Sequence, residues 1–420
     1  MAWLATVFLA ALIVAMLAHG FVTRGRVFAF PFLAAAIFLT FVVPQIPGLI
    51  NDHFIDNGSV TRAVLFSALC LAACHVGWEL GMRCPIGWDV ALSEQRLLRS
   101  ATVLSLVGAY FFYKFGQLPD EERLRGMLTG TSVAYLFFAR LLTYGFVIAV
   151  LCYAGRPSRF ALAIIAFGCV FYFDRIVIAG RRSELSEFGL ILALAFWFQR
   201  RWSIPRVAVA AGIVASLVGL LGAEEYRNAI YYKGDSQWSD LANIDLQKNF
   251  NRLLENGGPE MRNLVVNMYY ASEVQEFDYG VSHWNNMVYT FVPAQIFGSD
   301  FKHSLELDVS VTFDRNHTPM LGSTEMGMWD AYGSFWYFGA VKFLIIGILL
   351  GWMYAAAMAG NTTMQALYML SATPSMLTIT HFTNEIVIAW VHILAFLAPV
   401  AIYASWGTLV RTQARGRAVA

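Results

Sequence analysis

The chain is written mostly in apolar runs about as long as the helix needed to cross the hydrocarbon core of a bilayer, roughly 20 residues. The runs fall near 3–22, 29–50, 62–82, 100–117, 132–154, 160–179, 184–199, 206–222, 335–357, 364–382 and 386–406. Only 14% of the residues are charged, against about 25% in soluble domains, and the mean hydropathy is +0.56. These features predict an all-α polytopic membrane protein with about 11 transmembrane helices. The first run lacks a basic start and a small-residue cleavage site, so it reads as a membrane span and not as a cleaved signal peptide. A soluble nucleic-acid binder is excluded, because no basic stripe is present.

One polar interval breaks the series. Residues 223–334 open with GAEEYRNAIYYKGDSQWSD and close with FDRNHTPMLGSTEMGMWDAYGSFWYFG. They are too polar for lipid and too long for a connector. The organisation expected is helices 1–8 over residues 1–222, an external loop region over 223–334, then helices 9–11 and a cytoplasmic tail over 335–420. Within the insert, NFNRLLENGGPEMRNLVVNMYYASEVQEF has helical spacing broken at Gly257-Gly258-Pro259. Short helices lying at the membrane interface are the expectation.

The distribution of Lys and Arg sets the expected orientation. Arg24 and Arg26, then Arg83, Arg96 and Arg99, then Arg156 and Arg159, then Arg200, Arg201 and Arg206, then Arg411, Arg415 and Arg417 share one face if eleven runs cross. That face is cytoplasmic, so the insert lies outside. The turn FYFDRIVIAGRRSELSEFG violates the pattern by placing Arg181 and Arg182 outside. Five cysteines (Cys70, Cys74, Cys84, Cys152, Cys169) lie in or beside apolar runs, where packing and not disulfide or metal chemistry is expected.

Several constellations suit chemistry, and each has a plainer alternative. Arg181 and Arg182 precede a helix for which Ser183 is the expected N-cap. Guanidiniums beside a helix N-terminus match a diphosphate; the alternative is a pair reaching for lipid headgroups. Arg140 lies roughly 12 Å below the outer surface, at about 1.5 Å per residue. It either joins that site from a cavity or pairs with an acid such as Asp174. Glu224 and Glu225 follow a span and suit a general base, with Arg227 as a further anion contact, or are simply solvated. In 313–339, Arg315, His317, Glu325 and Asp330 accompany Trp329, Tyr332, Trp336 and Tyr337. Aromatic rings with polar neighbours suit sugars, with His317 and Glu325 as proton acceptors; the alternative is an interfacial belt. The sequence contains no phosphate loop, dinucleotide fingerprint or HExxH, so a reaction driven by arginines and a side-chain base, without metal or cofactor, is expected.

Over roughly residues 160–357 the chain resembles the O-antigen polymerases, the oligosaccharide repeat-unit polymerases of bacterial surface polysaccharide assembly. The resemblance rests on IVIAGRRSELSEFGLILAL, on the long outward insert, and on HTPMLGSTEMGMWDAYGSFWYFGAVKFLIIGILLGWMYA. Ala294 stands where members often carry an arginine after proline, with Lys302 or Arg315 as the substitutes. The resemblance implies a bacterial inner-membrane glycosyltransferase that moves a growing glycan from undecaprenyl diphosphate to the next lipid-linked repeat unit, with a chain-length regulator as a possible partner beside the membrane lipids. Arg140, Arg181, Arg182, Arg227 and Arg315 would stabilise the leaving diphosphate. Glu225, His317 or Glu325 would take the proton, and Trp329, Asp330 and Tyr332 would bind sugar. The alternatives are a ligase-like glycan transferase and a carrier of lipid-linked saccharide without chemistry.

Overall fold

The computed structural model describes residues 1–84, 91–119, 131–227, 244–292, 294–308 and 323–418. All regular structure among the described residues is helical. In chain order the main helices are α1 (Ala2–Val22), α2 (Phe30–Ile50), α3 (Asn57–Gly81), α4 (Glu94–Gly116), α5 (Thr131–Gly155), α6 (Arg159–Ile178), α7 (Arg182–Arg200) and α8 (Arg206–Arg227). The insert contributes α9 (Leu246–Asn256), α10 (Pro259–Val274) and α11 (Val281–Phe291), and α12 (Gly327–Phe335), α13 (Ala340–Met358), α14 (Thr362–Thr380) and α15 (Asn384–Ala418) follow.

Among the described residues, 7 helical stretches are long and apolar enough to cross a membrane: α1, α2, α3, α5, α6, Gly327–Met358 and Asn384–Trp406. The protein is thus a multi-pass helical membrane protein. Helices also occupy the remaining expected runs (α4, α7, α8 and α14), but these do not meet the same length and hydropathy.

Local chemistry sets several helix starts. The Asp56 carboxylate accepts from Ser59 N at 2.9 Å ahead of α3, Ser158 Oγ accepts from Ala161 N at 3.1 Å in α6, and Asp245 Oδ1 accepts from Lys248 N at 2.9 Å in α9. Pro44 interrupts α2: it has no N–H and crowds the preceding turn, and the helix widens to a π-turn over Phe38–Val42 before it.

The chain forms two compact units. One comprises Met1–Pro85, Ile204–Ala355 and Ser371–Ala389; the other comprises Ile86–Ser203, Ala356–Leu370 and Trp390–Ala420. In the first, α3 and α13 meet backbone to backbone through two Gly-x-x-x-Gly pairs. A Cβ on Gly77 or Gly81 would lie 2.1 Å from Leu344 O or 2.0 Å from Ile348 O, and one on Gly347 or Gly351 would lie 2.7 Å from Cys74 O or 2.5 Å from Trp78 O. Small residues of this kind let membrane helices approach closely.

The insert helix α10 belongs to the core of this unit. Met261, Leu264, Val265, Met268 and Ala271 are buried, together with Asn263 and Asn267, and α10 packs on α3 and α12. The sequence reading laid the insert's helices at an interface. For α10 the packing is different, because its apolar stripe is covered by protein. Gln45, itself buried, anchors its first turn: Oε1 accepts from Met261 N at 3.0 Å, and Nε2 donates to Phe41 O at 2.9 Å. Arg262 pairs with Asp52 at 2.5 Å.

In the second unit α4 packs on α5, where a Cβ on Gly108 would lie 2.5 Å from Leu142 N and one on Gly145 would lie 2.3 Å from Ser105 Oγ. Rings of Phe137, Phe138, Phe396 and His392 fill one part of the interior, and Phe146, Tyr172 and Phe188 fill another.

Candidate functional site

A polar cluster of the first unit forms where the insert meets the helices after it. Gly327 lets α12 approach α14 so closely that a Cβ there would sit 1.8 Å from Thr378 O. This brings Asp330 to the residues just beyond α14. Its Oδ2 accepts from Thr383 N at 2.8 Å and from Thr383 Oγ1, and its Oδ1 lies 3.1 Å from His283 Nε2.

His283 comes from α11 and is fixed from both sides. Asp278 N and Tyr279 N donate to Gly333 O and Ser334 O at 3.1 and 3.2 Å, tying the start of α11 to the end of α12. The Asp278 carboxylate accepts from Gly280 N and Ser282 N at 2.9 and 3.1 Å, while Gly280 takes the left-handed φ of 92° that the turn requires. Asn384 Nδ2 donates to His283 O at 3.3 Å.

Lys342, from the first turn of α13, completes the cluster. Its ammonium lies 2.5 Å from His283 Nε2 and donates to Asp330 O at 3.2 Å. The side chain of Asp330 is 8% exposed and that of His283 is 21% exposed. One imidazole nitrogen therefore faces a carboxylate, an ammonium and, at 3.3 Å, the hydroxyl of Thr383. A ring nitrogen holds a single proton, so Nε2 either donates to Asp330 or accepts from Lys342. The imidazole thus lies within hydrogen-bond reach of both a carboxylate and an ammonium, the spacing that proton transfer requires.

The sequence-derived candidates divide between the two units. Asp330 is at the centre of the cluster, as an oriented carboxylate. Trp329 and Tyr332 flank it in sequence, but both are buried. Tyr332 is 0% exposed, its hydroxyl is 2.9 Å from Ser272 Oγ, and its ring meets Phe66, Phe277 and Tyr337. The expectation that these two rings offer a sugar platform is corrected: neighbouring side chains already cover them. Among the described residues of the segment, the exposed rings are those of Phe335, Trp336, Tyr337 and Phe338. Glu325 is half-buried just before α12, and Glu225 is exposed near the end of α8. Arg315 and His317 lie outside the described residues, as do the side chains of Glu224 and Arg227.

Arg140, Arg181 and Arg182 belong to the second unit. Arg140 stands at a break in α5, between Thr131–Ala139 and Leu141–Gly155, and is exposed. Its charge is felt at Glu187 and His392. Arg181 and Arg182 are exposed at the start of α7. The helix begins at Arg182 with Arg181 in the capping position, two residues earlier than the expected Ser183 cap, and no side-chain hydrogen bond caps it among the described residues. Gly180 takes a φ of 62° to make the corner. Arg175 pairs with the buried Glu184.

Sequence reasoning missed His283, Lys342 and Thr383. Lys342 carried a usable signal, a single ammonium inside the apolar run VKFLIIGILL. His283 and Thr383 carried none, since no fixed spacing links them to Asp330. Comparison with known proteins found no match to a family model, to a curated sequence or to a solved structure.

Proposed function

We propose that the chain is a membrane glycosyltransferase that polymerises oligosaccharide repeat units carried on undecaprenyl diphosphate. In this reading eleven helices cross the bacterial inner membrane and the insert faces outward. The observation that carries it is the Asp330–His283–Lys342–Thr383 cluster, a hydrogen-bonded group set where a polar insert joins apolar helices. A glycosyl transfer to a hydroxyl needs such a group. The acceptor O–H bond breaks, its oxygen bonds to the donor's anomeric carbon, and the bond from that carbon to the diphosphate oxygen breaks. His283 receives the proton, with Asp330 setting its orientation and tautomer. Glu225, Glu325 and His317 stand as the other acceptors that the sequence offers.

The leaving diphosphate gains negative charge, and guanidiniums stabilise it. The sequence offers Arg140, Arg181, Arg182, Arg227 and Arg315 as candidates for that role. The test is glycan made by cells whose only copy carries Arg182→Ala or His283→Ala. Short, single-unit glycan with normal protein level is expected for both; long ladders from both would refute the reading.

A proton-coupled carrier is the second reading, favoured by the same cluster because acid–base chains inside helical bundles also move protons. Purified protein incubated with lipid-linked repeat units separates the two: dimers and longer products indicate the transferase, and unchanged substrate indicates the carrier.

A further inference from the structure

One cation of the first unit has no part in the cluster above. Arg62 lies in the second turn of α3, and its Nη1 is shut off from solvent with no hydrogen-bond partner among the described residues. A guanidinium offers only donors, so a buried N–H with no acceptor is an uncompensated desolvation cost.

The acid that feels its charge is already engaged. Asp56 accepts from Ser59 N at 2.9 Å and from Ser59 Oγ at 3.3 Å. Its carboxyl is held below the usual range first by the Ser59 N–H, with Arg62 the smallest of the influences. On the other side, the charge of Arg62 is felt at the Tyr337 hydroxyl. Tyr337 is 39% exposed, and its ring stands 6.0 Å from that of Phe66, one turn along α3. Below Arg62 the same helix exposes Leu65 and Leu69, four residues apart and so on one face. The surroundings thus combine a guanidinium with an unused donor, a phenol, the N-terminal end of a long helix, and an open apolar stripe leading away.

We propose that Arg62 and Tyr337 form a binding site for the phosphate group of an amphiphile, its apolar tail lying along Leu65 and Leu69. A phosphate presents the several acceptor oxygens that a planar fork of N–H donors needs, and the helix N-terminus favours negative charge. Calling the amphiphile a lipid-linked saccharide rests on the transferase reading; the phosphate chemistry does not.

The experiment is native mass spectrometry of the purified full chain with geranylgeranyl diphosphate, inorganic pyrophosphate and phosphatidylglycerol as probes. Wild type binds one more geranylgeranyl diphosphate than Arg62→Gln, which loses that event or weakens it at least tenfold. Tyr337→Phe weakens it several-fold, and Gly212→Ala, where an added Cβ meets nothing within 4 Å, retains it. Competition by pyrophosphate alone identifies a site for the bare anion, and competition by phosphatidylglycerol alone identifies a bilayer headgroup; both are the same phosphate chemistry from different sources. Equal stoichiometry and Kd for wild type, Arg62→Gln and Tyr337→Phe overturns the proposal, and Tyr337→Phe alone decides it should Arg62→Gln fail to fold. The readout involves no glycan synthesis, so loss of the transferase reading leaves it intact, and active transferase with binding indifferent to Arg62 refutes this site alone.

Discussion

Gly77→Ala and Gly81→Ala test the close crossing of α3 and α13. The added methyl would lie 2.1 Å from Leu344 O at one position and 2.0 Å from Ile348 O at the other, where ordinary contact begins at 3.4 Å. The shortfall is about 1.3 Å, and the obstructing atoms are backbone carbonyls, so no rotamer change relieves it. Overpacking of this kind costs about 1–3 kcal/mol per site. The folding constant should therefore drop by roughly 5-fold to 150-fold for either variant. The double variant should cost less than the two singles together, since helices pushed apart by one methyl already admit the second. Gly189→Ala and Gly212→Ala are the controls. Both glycines are helical with nothing within 4 Å of an added Cβ, and alanine there gains up to about 1 kcal/mol of helix propensity. The assay is unfolding by sodium dodecyl sulfate in mixed micelles, followed by far-ultraviolet circular dichroism. If the α3 variants shift in the same direction and by the same amount as the controls, the backbone-to-backbone crossing is wrong.

Other outcomes follow from the cluster and from the anchoring of α10. Asp330→Asn leaves Thr383 an acceptor but no longer holds a charged His283; chain extension by purified protein should fall at least tenfold, with a stability loss of about 1.5–3 kcal/mol by chemical unfolding. Lys342→Met should shift the pH profile of chain extension, because the ammonium no longer competes for His283 Nε2; an unchanged profile would remove Lys342 from the acid–base group. Gln45→Ala removes the acceptor for Met261 N and should cost about 1 kcal/mol in the same unfolding assay. Asp52 is held below its usual 3.8, first by the Phe54 N–H and then by Arg262. With the folded value the lower one, its stabilisation is present above about pH 4 and disappears as pH falls through that lower value. The melting-temperature gap between wild type and Asp52→Asn should thus be open at pH 7 and closed near pH 2; equal gaps at both would contradict the pairing.

The helical class and the place of every long helix were legible, because apolar runs of membrane length leave the backbone little other choice. The seven stretches that meet length and hydropathy coincide with seven of the runs, and their ends follow capping residues such as Asp56 and Ser158. What periodicity could not supply was pairing. The motifs Gly77–Gly81 and Gly347–Gly351 are visible in the sequence, but nothing there says that each is the other's partner. Of the candidate cluster, the sequence singled out only Asp330, and there as a sugar contact. Its partners at 283, 342 and 383 come from different helices and loops, so no local pattern joins them. Tyr332 failed as a sugar platform because an aromatic at a helix border has the same signature whether it faces outward or fills the core.

The Gln45–Met261 and Asp52–Arg262 bonds have a consequence for anyone who edits this chain. The insert is not a cassette: its central helix is clasped by residues that precede it by 216 and 210 positions. A chimera that swaps the insert into a chain with other residues at positions 45 and 52 would strand the amide of Met261 and the charge of Arg262 at once. Grafts should travel with 45–52 attached, and a graft made without them should misassemble even when every transplanted residue is intact.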